Sequence, residues 1–343
     1  MIVMARSIFI QRTAPIFAMV SLVIGLLLST PGAISAQAAM TLIDQNTFTD
    51  QSGRKFSVKR PFKRIISLYG AHTENLYALR ADDLIIGVGD HQDYPPEANA
   101  KKVYSYRDDA EKFLAAQPDL ILIRSMIFRA YPGLIQRMEQ SGICVVSLQP
   151  ANFSQMYDYW RILGILAGKN HAADQMVNTF QGAVKAYENL THPIASKKRV
   201  YLEAMHDKMK TVTPDAMAAA VLKLAGGINV AADALKVRRT NIAFYGKERI
   251  LSKADQIDVY LAQFGAMNRP TIAMIKNEPG FGVIKAVREN QIFIIDEAII
   301  SRPTPRLLNG IFTMGQILYP DRFNTKGQKI LKAANLAAKE VHN

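Results

Sequence analysis

The 343-residue chain contains a single cysteine. That residue, Cys144, leaves no internal disulfide framework to build, and its setting, Gly142-Ile-Cys-Val-Val, reads as a buried strand. The apolar stretch near the start, Ile16 to Leu28, is shorter than the roughly 20 residues that a membrane-spanning helix needs. There is no H-E-x-x-H pair, phosphate-binding glycine loop or nucleophile motif, which argues against the commoner hydrolase and nucleotide chemistries. No dense basic run or nucleic-acid-binding module is present, so nucleic acid is not an expected partner. Low-complexity segments and short tandem repeats are also missing.

The features that are present begin with the first segment. Arg6 and Arg12 precede the short apolar run, and Pro31, Gly32 and Ala36-Gln-Ala38 follow it. A basic start, a short apolar middle and an A-x-A end describe a secretory leader over residues 1–38, cleaved after Ala36 or Ala38. No cysteine follows it directly, so a soluble periplasmic protein without a lipid anchor is expected. The formal charge is +13, of which Arg6 and Arg12 supply two, leaving +11 for the exported part. A positive field raises the encounter rate with anions.

From Arg64 to Leu148, short apolar runs such as Ile65-Ile-Ser-Leu, Leu84 to Val88 and Leu120 to Ile123 alternate with helical stretches. That alternation implies a parallel sheet covered on both faces. A helix over Ser154 to Ala167 follows. The next, His171 to Leu190, has apolar residues at 173, 176, 177, 180, 184 and 187, a helical stripe about 30 Å long. A second set of strands and helices begins at Arg199-Val-Tyr-Leu-Glu203. The expected fold is α/β: two lobes, each with a central, mainly parallel sheet flanked by helices, joined by one long backbone helix. The boundaries are residues 39–63 for an N-terminal segment, 64–168 for the first lobe, 169–195 for the linker helix and 196–343 for the second lobe with its terminal helix.

Two acids recur in similar settings. Glu111 opens the run Glu-Lys-Phe-Leu-Ala-Ala, and Glu248 opens Glu-Arg-Ile-Leu-Ser-Lys, each ahead of a strand. An acid in a first helical turn is favoured by the helix dipole and stays ionised at a surface. Asp108-Asp-Ala-Glu111 also fits a capping box, and Glu74 reads as a cap of the first helix.

Several segments together resemble the iron-siderophore, haem and cobalamin binding proteins of ABC importers. They are Arg64-Ile-Ile-Ser-Leu-Tyr-Gly-Ala-His-Thr-Glu74, Gly87-Val-Gly-Asp-His-Gln-Asp-Tyr-Pro-Pro-Glu97, Gln117-Pro-Asp-Leu120, Gly226-Gly-Ile-Asn229 and Pro303-Thr-Pro-Arg306. The resemblance spans nearly all of the exported chain. It implies that a metal chelate lies between the lobes and that Glu111 and Glu248 pair with arginines of an ABC permease dimer. An outer-membrane receptor system stands upstream as a further implied partner. The chelate is cargo, so no resident cofactor is implied. The implied cleft residues are Tyr69, His72, His91, Tyr94, Tyr104, Tyr106, Arg107, Arg124, Arg129, His206, Lys208, Arg238, Arg239 and Arg302, with His72 and His206 as a candidate metal pair from opposite lobes.

The chain departs from the cobalamin binders, which hold the corrin with cleft tryptophans. Its one tryptophan, Trp160, falls inside a helix, and Arg124 stands where a cleft tryptophan is expected. That favours an anionic ferric siderophore or haem. The Asp93-Tyr-Pro-Pro96 loop looks like the cobalamin members and keeps a corrinoid as the alternative. A rival of another class is a periplasmic chelatase-like enzyme on the same fold. A bare zinc or manganese binder is a third reading, for which few of the six histidines are suitably placed.

Overall fold

The computed structural model describes residues 40–90, 92–236 and 240–340. The expected leader and the candidate residues His91, Arg238 and Arg239 lie outside them. No helix among the described residues is long and apolar enough to cross a membrane.

The first sheet has five strands, in the order Lys102–Tyr104, Ile85–Gly89, Ile65–Ser67, Leu120–Ile123, Cys144–Ser147. All its pairings are parallel. Leu120–Ile123 is buried at every position, as a strand covered on both faces must be. The chain winds outward from Ile65–Ser67 in one direction and then returns to wind outward in the other. The order therefore reverses between Ile65–Ser67 and Leu120–Ile123.

The second sheet runs Ile242–Phe244, Lys210–Val212, Arg199–Met205, Val259–Phe264, Ile292–Asp296, with Ile228–Asn229 also pairing on Arg199–Met205. Lys210–Val212 runs against both of its neighbours, so this sheet is mixed. These two successive antiparallel pairings leave Ile242–Phe244 running in the direction of Arg199–Met205.

A third, small sheet of Thr41–Leu42, Thr47–Thr49 and Lys55–Ser57 is antiparallel and was not foreseen within residues 39–63. Its turn is organised by fully buried Asp50, whose Oδ1 accepts the amides of Ser52 at 2.9 Å and Arg54 at 3.0 Å. Arg54 Nη2 returns to Asp50 Oδ2 at 2.9 Å and reaches the carbonyl of Val145 at 2.7 Å, which fastens the hairpin to the first sheet.

The long helix is Asn170–Thr191, 22 residues and about 33 Å at 1.5 Å per residue. Ala173, Val177, Phe180, Ala183, Tyr187 and Leu190 form its buried stripe. It packs between the helices Phe153–Ala167 and Gln328–Glu340. Gly168 closes Phe153–Ala167 at φ 67°, a conformation that suits a residue without Cβ. The helix is not a free rod. Leu122 and Val146 of the first sheet, Val177 and Phe180 of the helix, and Leu202 and Leu261 of the second sheet belong to one continuous apolar core.

The halves are also joined by charge. Glu74 does not cap a helix. It lies in the middle of Gly70–Ala78, whose N-cap is Tyr69, and is 5% exposed. Arg306, from beyond the second sheet, grips it with both ends of its fork: Nε to Oε2 at 2.9 Å and Nη2 to Oε1 at 2.8 Å. Arg302 Nη1 adds a bond to Oε1 at 2.9 Å and one to Asp93 Oδ1 at 2.9 Å. Between the two arginines, the carbonyl of Pro303 accepts from Asn75 Nδ2 and Trp160 Nε1, each at 3.0 Å. Removing one partner of a buried ion pair strands the other charge. Glu74→Ala is therefore expected to lower unfolding stability by about 3 kcal/mol in a denaturant titration, whereas Glu111→Ala, at an exposed ion pair, changes it by less than about 1 kcal/mol.

Candidate functional site

In an open parallel sheet, ligands bind outside the carboxyl ends of the strands where the strand order reverses. Here the two strands at that point, Ile65–Ser67 and Leu120–Ile123, lead into Tyr69 and Arg124. The Arg124 Cζ stands 5.5 Å from the centre of the Tyr69 ring. Both side chains are half-buried. Burial raises the Tyr69 phenol above its ordinary range, and the charges of Arg124 and Arg302 oppose that shift. Neither the Arg124 guanidinium nor the Tyr69 hydroxyl has a hydrogen-bond or ion-pair partner among the described residues.

The second sheet meets this rim with its own carboxyl ends. Its edge is built on Glu203, a 1% exposed carboxylate. Glu203 Oε2 accepts from the Tyr260 hydroxyl at 2.5 Å and His206 Nδ1 at 2.8 Å, and Oε1 from Asn268 Nδ2 at 3.2 Å. The bond to Glu203 is the main cause that holds the His206 imidazole above its ordinary pKa. Asn268 also accepts the His206 amide at 3.0 Å and closes the tight turn from Gly265. The turn presents Met267, and the strand before it Phe264, 52% and 46% exposed. Beside it stands Glu297, at the end of Ile292–Asp296. A Cβ on Gly265 would sit 2.0 Å from Glu297 Oε2, so the bare glycine makes the space that the carboxylate occupies. Burial pushes the Glu297 carboxyl up, opposed by Arg302 and Arg124. The cleft thus has a basic and aromatic wall on one side, and an apolar wall carrying one acid on the other.

Several expected residues take other roles. His72 is fully buried: its Nδ1 meets the Tyr159 hydroxyl at 2.7 Å and its Nε2 the Ile123 carbonyl at 3.2 Å. The carbonyl only accepts, so Nε2 carries the proton and Nδ1 accepts from tyrosine. Burial lowers its pKa to about 3. With both nitrogens engaged, His72 neither faces the cleft nor ligates a metal. His206 is committed to Glu203, so the proposed two-lobe metal pair does not form. Among the described residues no group of three or more His, Cys, Asp or Glu is placed to hold a metal ion. Tyr104 is a core residue, 1% exposed and packed on Phe113 with ring centres 5.3 Å apart. Tyr106 leans on Tyr131, and Arg107 is exposed beside it. Arg302 serves the Glu74 clamp, and the Tyr94 ring lies 4.0 Å from Arg306 Cζ. Arg129 and Lys208 are exposed. The chief residues missed are Glu203, the clamp role of Glu74, and Glu297. In the sequence Glu297 resembles an ordinary first-turn carboxylate.

Glu111 and Glu248 are both exposed, each in the first turn of a short helix, Ala110–Leu114 and Lys247–Ser252. Each helix follows the outermost strand of its sheet, and both strands end on the cleft side. The capping box does not form: Glu111 Oε1 instead accepts from Arg137 Nη2 at 2.5 Å. Glu248 has no hydrogen bond or ion pair among the described residues.

A cavity of about 430 Å³ lies elsewhere, between Asn170–Thr191, Leu307–Leu318 and the terminal helix. Ala78, Ala172, Met176 and Leu308 line much of it. It lacks the converging unpaired charges of the cleft.

The sequence pattern of the periplasmic binding protein family matches residues 65–299. An uncharacterized ABC transporter substrate-binding lipoprotein of Bacillus subtilis, YvrC, is 26% identical over 81% of this chain and 86% of its own length. The vitamin B12-binding protein of Vibrio cholerae is 24% identical over 73% of this chain and 87% of its own. A solved structure, described as a possible iron-binding periplasmic solute-binding protein from Staphylococcus epidermidis, superposes with a TM-score of 0.66 at 25% identity, covering 76% of this chain and 100% of its own. These relatives are named as binding proteins, not enzymes, which sets aside the chelatase reading. The chain belongs to the periplasmic binding protein family.

Proposed function

We propose that this protein captures a metal chelate in the cleft between its two sheets and delivers it to the permease dimer of an ABC importer. The observation that carries the reading is the meeting of two sets of strand carboxyl ends, with Tyr69 and Arg124 on one rim and Glu297 on the other, none of them partnered among the described residues. A half-buried guanidinium over a tyrosine ring suits a planar anionic group, which it grips bidentately. The net charge of the chain favours capture of anions. An anionic ferric siderophore or haem fits best. A corrinoid is the second reading, favoured by the vitamin B12-binding relatives. Against it, Trp160 is fully buried and bonded to Pro303, so it is withheld from the cleft. Absorbance titration with haem, a ferric tris-catecholate and cyanocobalamin is expected to show one of them binding at one per chain and recovered unchanged. Saturable binding of none would overturn the reading.

Glu111 and Glu248 are the proposed permease contacts. Their support is topological: matched acids on matched helices after the edge strand of each sheet, both on the cleft side. Glu111→Ala with Glu248→Ala should keep chelate affinity within about twofold, yet abolish transport in vesicles carrying the permease. Normal transport by this double variant rules the docking role out. Of the two acids, only Glu111 has an ion-pair partner among the described residues, an exposed pair worth less than about 1 kcal/mol. Arg137→Ala frees that acid and is expected to tighten permease binding by up to about fivefold; weaker binding would instead make Arg137 a contact.

A further inference from the structure

Polar groups inside a fold are normally satisfied, and each exception calls for a reason. Glu297, half-buried at the rim, is without a protein partner among the described residues. It opens the short helix Glu297–Ser301, but the capping task there is done by Asp296, whose Oδ1 accepts the Ala298 amide at 2.8 Å. The Glu297 carboxylate itself accepts no hydrogen bond and has no ion pair within 4.0 Å among the described residues. Arg124, on the other rim, is likewise without a partner among the described residues, and its charge acts on Glu297 without an ion pair between them. Gly265 keeps the place of the carboxylate clear, and exposed Phe264 and Met267 put apolar surface beside it.

A guest that enters this gap displaces the water that solvates both charges. Whatever it brings must replace those hydrogen bonds, because a desolvated group left unmatched costs more than a made bond returns. Arg124 and the Tyr69 hydroxyl call for acceptors. Glu297 calls for donors. Resting on the chelate reading above, we infer that Glu297 is a selectivity residue that accepts N–H or O–H groups of the bound chelate while Arg124 holds its anionic side. The cleft therefore selects a chelate that carries amide or hydroxyl donors together with negative charge. Haem brings carboxylates alone and sets like charge against Glu297. Amide-linked catecholates and the primary amides of a corrinoid both supply the donors, and separate probes distinguish these two sources.

The test compares wild type, Glu297→Gln and Glu297→Ala in affinity for a ferric tris-catecholate with amide links, cyanocobalamin and haem. For the amide-bearing probe that binds, Glu297→Ala is expected to weaken binding by about 10- to 100-fold, the range of hydrogen bonds to charged groups. Glu297→Gln falls between, since its carbonyl still accepts, and haem affinity stays level or rises. Gly265→Ala, whose methyl meets the carboxylate, should reproduce the selective loss. Unchanged melting midpoints of the free variants confirm that the fold is intact. An equal effect on every probe, no effect on the amide-bearing one, or preference for haem overturns the role of Glu297 and leaves the chelate reading standing. Binding of no probe overturns both.

Discussion

Glu74 lies in the helix after the first strand of one sheet, and the two arginines that neutralise it follow the last strand of the other. A carboxylate 5% exposed is tolerated only where its charge is matched and its oxygens are bonded. Glu74 meets that condition solely when the two halves stand in one relative position. Pro303, held from the first half by Asn75 and Trp160, fixes the same junction through neutral bonds. The distance between the facing rims, and with it the width of the cleft, follows from this junction. The shared apolar core works in the same direction, because rotating one half away would expose side chains of both. Such a frame opposes wide hinge motion, so ligand entry falls to loops and side chains at the rim.

The clamp and the cleft obey opposite rules a short distance apart. Behind the rims, the charged and imidazole groups are matched: Glu203 receives three side-chain donors, and His72 uses both nitrogens. At the rims, Tyr69, Arg124 and Glu297 are without hydrogen-bond or ion-pair partners among the described residues. The first arrangement contributes rigidity, and the second leaves binding free energy for a guest to supply. His206 illustrates the division. It belongs to the buried network, and its contribution to the site is to steady Asn268 and the turn that carries Met267.

The misplaced residues share one cause. Tyr104 and His72 sit at or just after strand ends, where exposure to a cleft is the general expectation. Whether such a side chain turns outward depends on what packs over it: Phe113 covers Tyr104, and Tyr159 from a later helix receives His72. Glu111 satisfies the spacing of a capping box, yet Arg137, 26 residues away, claims its carboxylate. Local spacing describes only what a residue can do with its near neighbours.

The alternation of apolar runs and helical stripes by itself determined the α/β class, the parallel first sheet and the long helix, since strands covered on both faces read as unbroken apolar runs and a half-buried helix as a 3.6-residue stripe. The order of segments was enough to carry the family likeness, and the paired settings of Glu111 and Glu248 were visible as repeated local patterns. Only the tertiary structure decided which polar residues are partnered and which stand open. Ion pairs such as Glu74 with Arg302 and Arg306 join positions more than two hundred residues apart. The openness of Glu297 depends on a glycine in the turn after another strand. Burial and partnership are properties of the packed solid, set by surfaces that meet after the chain has folded.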